Sequence, residues 1–104
     1  MEKCTKEVVV SNNETSSRFE AQVGGHTALI EYQRSPELIT FLHSYVPPSL
    51  EGYGIGGQLA RAGLEFARSE GLTVFAVCPF VKAYIRRHPE YSELVNSAPP
   101  NDIT

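Results

Sequence analysis

The stretch EGYGIGGQLA at 51–60 places Gly52, Gly54, Gly56 and Gly57 directly ahead of a run with helical spacing. Glycine is a poor helix former, and such density makes sense where the backbone must take φ > 0 or come close to another group. The flanking segments narrow the choice. LITFLHSYV at 38–46 reads as a strand with apolar groups on both faces, Leu38 and Leu42 on one, Ile39, Phe41 and Tyr45 on the other. A strand of that kind is covered on both sides. Pro47 and Pro48 end it, because proline cannot donate to a ladder. Over 55–69, Ile55, Leu59, Ala62, Phe66 and Ala67 share a helical stripe while Arg61, Glu65 and Arg68 face away. Gly71 is a helix stop, and LTVFAVC at 72–78 reads as a buried strand. The glycines therefore lie at the entry to the helix of a right-handed crossover between parallel strands.

The first backbone N–H groups of such a helix have no intrahelical acceptor and sit at the positive end of its dipole. That makes an anion site, and glycines let its amides converge on a phosphate. Three readings of the cluster compete. Gly52, Gly54 and Gly57 satisfy G-x-G-x-x-G literally, but a dinucleotide site needs the turn directly after a strand and an acidic residue ~20 positions on. Here PPSLE intervenes, and the next strand ends in Val77-Cys78. A P-loop reading fails for want of Gly-Lys-Ser/Thr. On the motif alone, a structural turn remains the simplest account.

The rest of the chain supplies a small mixed sheet. SRFEAQV alternates, Gly24-Gly25 marks a turn and HTALIEY resumes the alternation, so 17–32 reads as a hairpin, with VVVSNN a short strand or an extended lead-in. Pro79 opens a second helix, FVKAYIRRH, which ends at Pro89. The element order is β-β-β-α-β-α, an α/β (α+β) fold with helices packed on the sheet. A chain of 104 residues buries roughly two-thirds of its unfolded surface, enough for one core. One domain over 1–104 is expected, with 1–7 and 95–104 flexible.

A net charge of −3 argues against bulk nucleic-acid binding, although a small anion needs only local positive potential. No apolar run approaches the ~20 residues of a membrane span, and MEKCTKEVVV has no signal core. Cys4 and Cys78 form neither a metal pattern nor a disulfide scaffold. A reduced, cytoplasmic setting is expected, with nuclear access open to so small a chain.

Taken in order, Arg18-Phe19-Glu20, Ile30-Glu31-Tyr32, His43-Ser44-Tyr45-Val46-Pro47, Gly52-Tyr53-Gly54-Ile55, Cys78-Pro79-Phe80-Val81 and His88-Pro89-Glu90-Tyr91 resemble a small, single-domain subgroup of the GCN5-related N-acetyltransferases, or GNAT proteins. The resemblance covers residues 8–94. In that superfamily a Q/R-x-x-G-x-G/A loop binds the pyrophosphate of acetyl-CoA through backbone amides. The matching residues here are Glu51-Gly52-Tyr53-Gly54-Ile55-Gly56, with glutamate where glutamine or arginine is usual.

The resemblance implies acetyl transfer from acetyl-CoA to an unidentified primary amine, or a CoA-binding module with little turnover. No metal is required. It assigns cofactor binding to Tyr45, Val46, Gly52, Tyr53, Gly54, Ile55, Gly56 and Gly57, and a CoA phosphate to Arg87. Three side chains become catalytic candidates. Cys78, at a strand end before a helix N-terminus, is a nucleophile, a partner of the thioester or a packing residue; helix N-termini favour thiolate. His43, read on the face of Ile39 and Phe41, is a base or a core residue. Tyr84 is a proton donor to the departing thiolate or a packing tyrosine. Glu31 is a second candidate base. Lys82, Arg86, Arg87 and His88 also suit the negative end of their helix. The chain leaves no room for helices between its first strands, so the acceptor site is expected to be open or completed by a partner chain.

Overall fold

The computed structural model describes residues 6–96. Five strands form one sheet in sequence order: β1 (Ser11–Asn13), β2 (Arg18–Val23), β3 (His26–Arg34), β4 (Leu38–Tyr45) and β5 (Thr73–Ala76). The first three pairings are antiparallel and β4–β5 is parallel. The helices are α1 (Ile55–Glu70), α2 (Pro79–Arg87) and α3 (Ser92–Asn96). The expected β-β-β-α-β-α order is therefore present, with β1 added before it and α3 after it. No helix interrupts the run from β1 to β4.

Each connection has a local cause. Gly24 and Gly25 both take positive φ, 56° and 83°, the conformation that a two-residue hairpin turn needs. They set Val23 opposite His26. β1 is pinned by the Tyr32 hydroxyl, which donates to Asn12 Oδ1 at 2.7 Å. Gly71, at φ 68°, ends α1.

The core lies between α1 and one face of the sheet. Phe19, Ala21, Ala28, Ile30, Tyr32, Ile39, Phe41 and Val74 meet Ile55, Leu59, Ala60, Gly63, Leu64 and Ala67, all buried. Burial of a leucine such as Leu59 or Leu64 contributes about 2 kcal/mol. The buried arc of α1 is centred nearer Gly63 than the sequence stripe implies, with Ala62 and Phe66 at its partly buried margin. Gly63 is required by a close approach: a Cβ there would lie 2.7 Å from Phe41 Cε1. Helix and strand can touch at that point because one of them has no side chain.

Both ends of the described chain carry structure. The Lys6 N–H donates to the Tyr53 carbonyl (2.9 Å), and the Lys6 carbonyl accepts from Gln58 Nε2 (2.6 Å). Residues 95–96 belong to α3. The remaining ends read as flexible, 1–5 and 97–104, lie outside the described residues, and Cys4 with them.

Candidate active-site cleft

The site begins where the parallel pairing stops. β4 and β5 pair from Leu38 opposite Thr73 to Phe41 opposite Ala76. The N–H groups of Val77 and Cys78 then both donate to the Phe41 carbonyl, each at 3.0 Å. The chain leaves the ladder there while β4 continues to Tyr45, and the two strands part.

A bulge at the same level re-aims β4. Tyr32 pairs with Phe41, but Glu31 pairs with His43, leaving Leu42 as the extra residue. Since side chains alternate along a strand, one inserted residue moves every later side chain to the other face. Ser44 is thereby set opposite buried Ile30, on the α1 side, while His43 and Tyr45 emerge on the other face. This corrects the placement of His43 with Ile39 and Phe41. Its side chain is 59% exposed, and its Nε2 lies 2.8 Å from Glu31 Oε1.

A cleft of about 520 Å³ opens at the parting. One wall is the end of β4, Ser44 and Val46; another is the glycine loop with the start of α1; the third is α2, through Phe80, Tyr84, Arg87 and His88. Gly52 and Gly54 have φ of 88° and 76°, which side-chain-bearing residues rarely adopt. Gly54 caps α1 without any side-chain acceptor, and the first helical turn carries no acidic residue. The amides at Ile55, Gly56 and Gly57 precede the first intrahelical donor, Gln58 N–H to the Gly54 carbonyl, so they are free to receive an anion. At Gly56 a Cβ would stand 2.9 Å from Phe80 Cζ; the helix entry and α2 are thus in contact beside the cleft.

Of the residues singled out in the sequence, Val46, Gly52, Gly54, Ile55, Gly56, Gly57, Tyr84 and Arg87 line the cleft. Tyr45 points away and is 51% exposed. The Tyr53 side chain also points elsewhere, with Lys6 Nζ 5.7 Å from its ring centre. Cys78 is 2% exposed and lies behind Ser44, its Sγ 3.6 Å from Ser44 Oγ. The basic cluster divides: Arg87 and His88 face the cleft, while Lys82 and Arg86 border a separate groove with Phe75 and Ile85. Glu51 lines the cleft at the motif's first position. Ser44 and Phe80 are cleft residues that sequence reasoning passed over, although each stood inside a quoted motif.

Tyr84 is a titratable side chain of the cleft. Burial raises its phenol above the usual tyrosine value, and Glu90 and Glu65 reinforce the shift against Arg61. Its ring stacks on His88 with centroids 4.0 Å apart. Behind it, the Tyr91 hydroxyl donates to Glu65 at 2.6 Å. Burial first, and that bond second, push Tyr91 up to about 12.

The class is now defined: an α/β protein with an uncapped helix N-terminus opening on the gap between two parting parallel strands. A family model described as GCN5-related N-acetyltransferase matches residues 18–94, most of the chain. The protein belongs to that family, which places it among acyltransferases. Among the described residues no group of three or more His, Cys, Asp or Glu is placed to hold a metal. No described helix is long and apolar enough to cross a membrane.

Proposed function

We propose that the cleft binds acetyl-CoA and that the protein transfers the acetyl group to a primary amine. The observation that carries this reading is the meeting of the uncapped α1 N-terminus with the parting of β4 from 77–78 in one cleft. The residues fit the ligand: amides at Gly54, Ile55, Gly56 and Gly57 would hold the pyrophosphate, and Arg87 has no ion-pair partner among the described residues and would meet a further phosphate. Backbone at Val46 would bond to the pantetheine amides. Acetyl-CoA supplies an activated thioester. The chain's part is then positioning and proton transfer. As the amine nitrogen bonds to the carbonyl carbon and the C–S bond breaks, Tyr84 would give its proton to the leaving sulfur. Burial raises its pKa above the usual tyrosine value, so the phenol holds its proton through neutral pH and beyond. His43, held by Glu31 on the uncovered sheet face, would take the amine proton only from an acceptor that reaches the thioester through the parting of the strands from that face. Cys78 would line the reacting end through Ser44.

A second reading, a CoA-binding module with little turnover, is favoured by the burial of Cys78 and by the outward face of His43. Isothermal titration with acetyl-CoA, CoA and NADH tests both. Saturable binding of acetyl-CoA with NADH silent is expected. No binding of any of the three returns the glycines to a structural turn. Binding without transfer to any amine in a screen selects the second reading.

A further inference from the structure

We infer that the groove beside β5 is a docking site for a partner protein, which enters it with a segment carrying carboxylates next to apolar side chains. The inference is independent of the acetyl-CoA reading. The sheet ends at β5, and there α2 and α3 flank a groove of about 320 Å³. Phe75, Ala76, Ile85 and Val95 give it an apolar lining, and Lys82 and Arg86 are its charged residues. Among the described residues that line it, none is acidic. Phe75 is 55% exposed although it stands in mid-strand beside fully buried Val74. A large aromatic group is thus left open directly next to two cations.

The cations define the occupant. α2 runs from Pro79 to Arg87. Arg86 suits the negative end of that helix, but Lys82 is its fourth residue, in the half where the dipole disfavours a cation. The two stand four residues apart, and like charges at that spacing destabilise a helix. Neither forms an ion pair with another described residue. Helix stability therefore does not account for the pair. A segment bearing carboxylates does: it relieves the repulsion through charge-assisted hydrogen bonds, while its apolar side chains cover Phe75 and Val95. The apolar lining and a net charge of −3 speak against a nucleic acid in the same place. Arg87 and His88, next along the chain, face the cleft, so α2 serves two separate surfaces.

The test is fluorescence anisotropy with the full chain and a labelled peptide of repeated Asp-Leu-Asp-Ser, in about 0.1 M salt. Saturable binding tighter than about 1 mM is expected. Peptides with Asn for Asp, or with Ser for Leu, should bind at least about tenfold more weakly. So should the protein carrying Lys82→Glu together with Arg86→Glu, and the protein carrying Phe75→Ser. These substitutions alter exposed side chains, so a thermal melt should show the fold intact. No saturable binding overturns the proposal, as does equal binding of the Asn peptide or a charge-reversed protein that binds like the parent. An equal loss with Arg87→Glu also overturns it, because the peptide would then be held in the cleft. A dimer that Phe75→Ser dissolves would give the groove to a second copy. Binding that gains about tenfold with Asp102→Asn would give it to the chain's own end. Either result overturns the partner.

Discussion

From Leu38 to Phe41, β4 is paired on both sides, with Ile39 and Phe41 buried under α1. From His43 to Tyr45 it is paired with β3 alone, and its residues alternate between a cleft and an uncovered sheet face. The first half is held by packing, the second by one antiparallel ladder. What separates them is one extra residue, Leu42, and the departure of the neighbouring strand at Val77. The comparison teaches that the site is made by ending a core. The same parting that removes a ladder partner from β4 leaves room for a ligand and turns Ser44 and Val46 toward it. Residues on the other side of the second half, His43 and Tyr45, belong to a different environment although they adjoin Ser44 in sequence.

If the two environments are distinct, substitutions in them should separate ligand affinity from the rest. The largest effect is expected at Gly56. Glutamate there would crowd Phe80 and set a carboxylate where an anion is to bind, weakening acetyl-CoA by at least about 100-fold. Titration checks it, with a thermal melt to show that the fold survives. Unchanged affinity would mean that the anion site lies elsewhere.

Gly63→Val strikes the boundary between the halves, since even a Cβ would press on Phe41. A loss of about 2 kcal/mol in urea unfolding is expected from overpacking. Little change would show that Phe41 can yield and that the core half is softer than its burial implies.

Tyr84→Phe should lower kcat about tenfold while leaving acetyl-CoA affinity within about twofold, because the hydroxyl acts on the leaving group and not on the anion site. The sign of its pH dependence follows from burial: the phenol is raised, so the acid form persists through neutral pH and is lost only above the ordinary tyrosine range. A rate that falls with a tyrosine-like transition below that range would assign the proton to another group.

The smallest effect on binding is expected at His43→Ala. The Glu31–His43 pair is exposed, so stability should move by no more than about 0.5 kcal/mol. Acetyl-CoA affinity should stay within about twofold, with any loss appearing in transfer. A large change in acetyl-CoA affinity would erase the distinction between cleft and face.

Much of this architecture was legible in the chain. The glycine pair at 24–25 marks the hairpin, prolines bound β4 and α2, and the apolar stripe of α1 is offset by less than a turn from its buried arc. The glycine loop was legible as a positive-φ turn ahead of a bare helix start, because both are local properties. The sides on which His43 and Tyr45 emerge were not. Regular alternation puts both with Ile39 and Phe41, and the bulge carries no mark of its own in LITFLHSYV: Leu42 is as good a strand residue as its neighbours. The same bulge hides Ser44, and the pull of the N-terminal segment, whose Lys6 N–H donates to the Tyr53 carbonyl, hides the facing of Tyr53.

By itself, then, the sequence determined what short-range physics controls: where elements start and stop, which stripes are apolar, and that backbone amides gather at Gly52–Gly57. The tertiary structure decided which side chains share a cavity. Strand register is settled by the competing pairings of β3, β4 and β5, and one unpaired residue reverses the facing of all that follow.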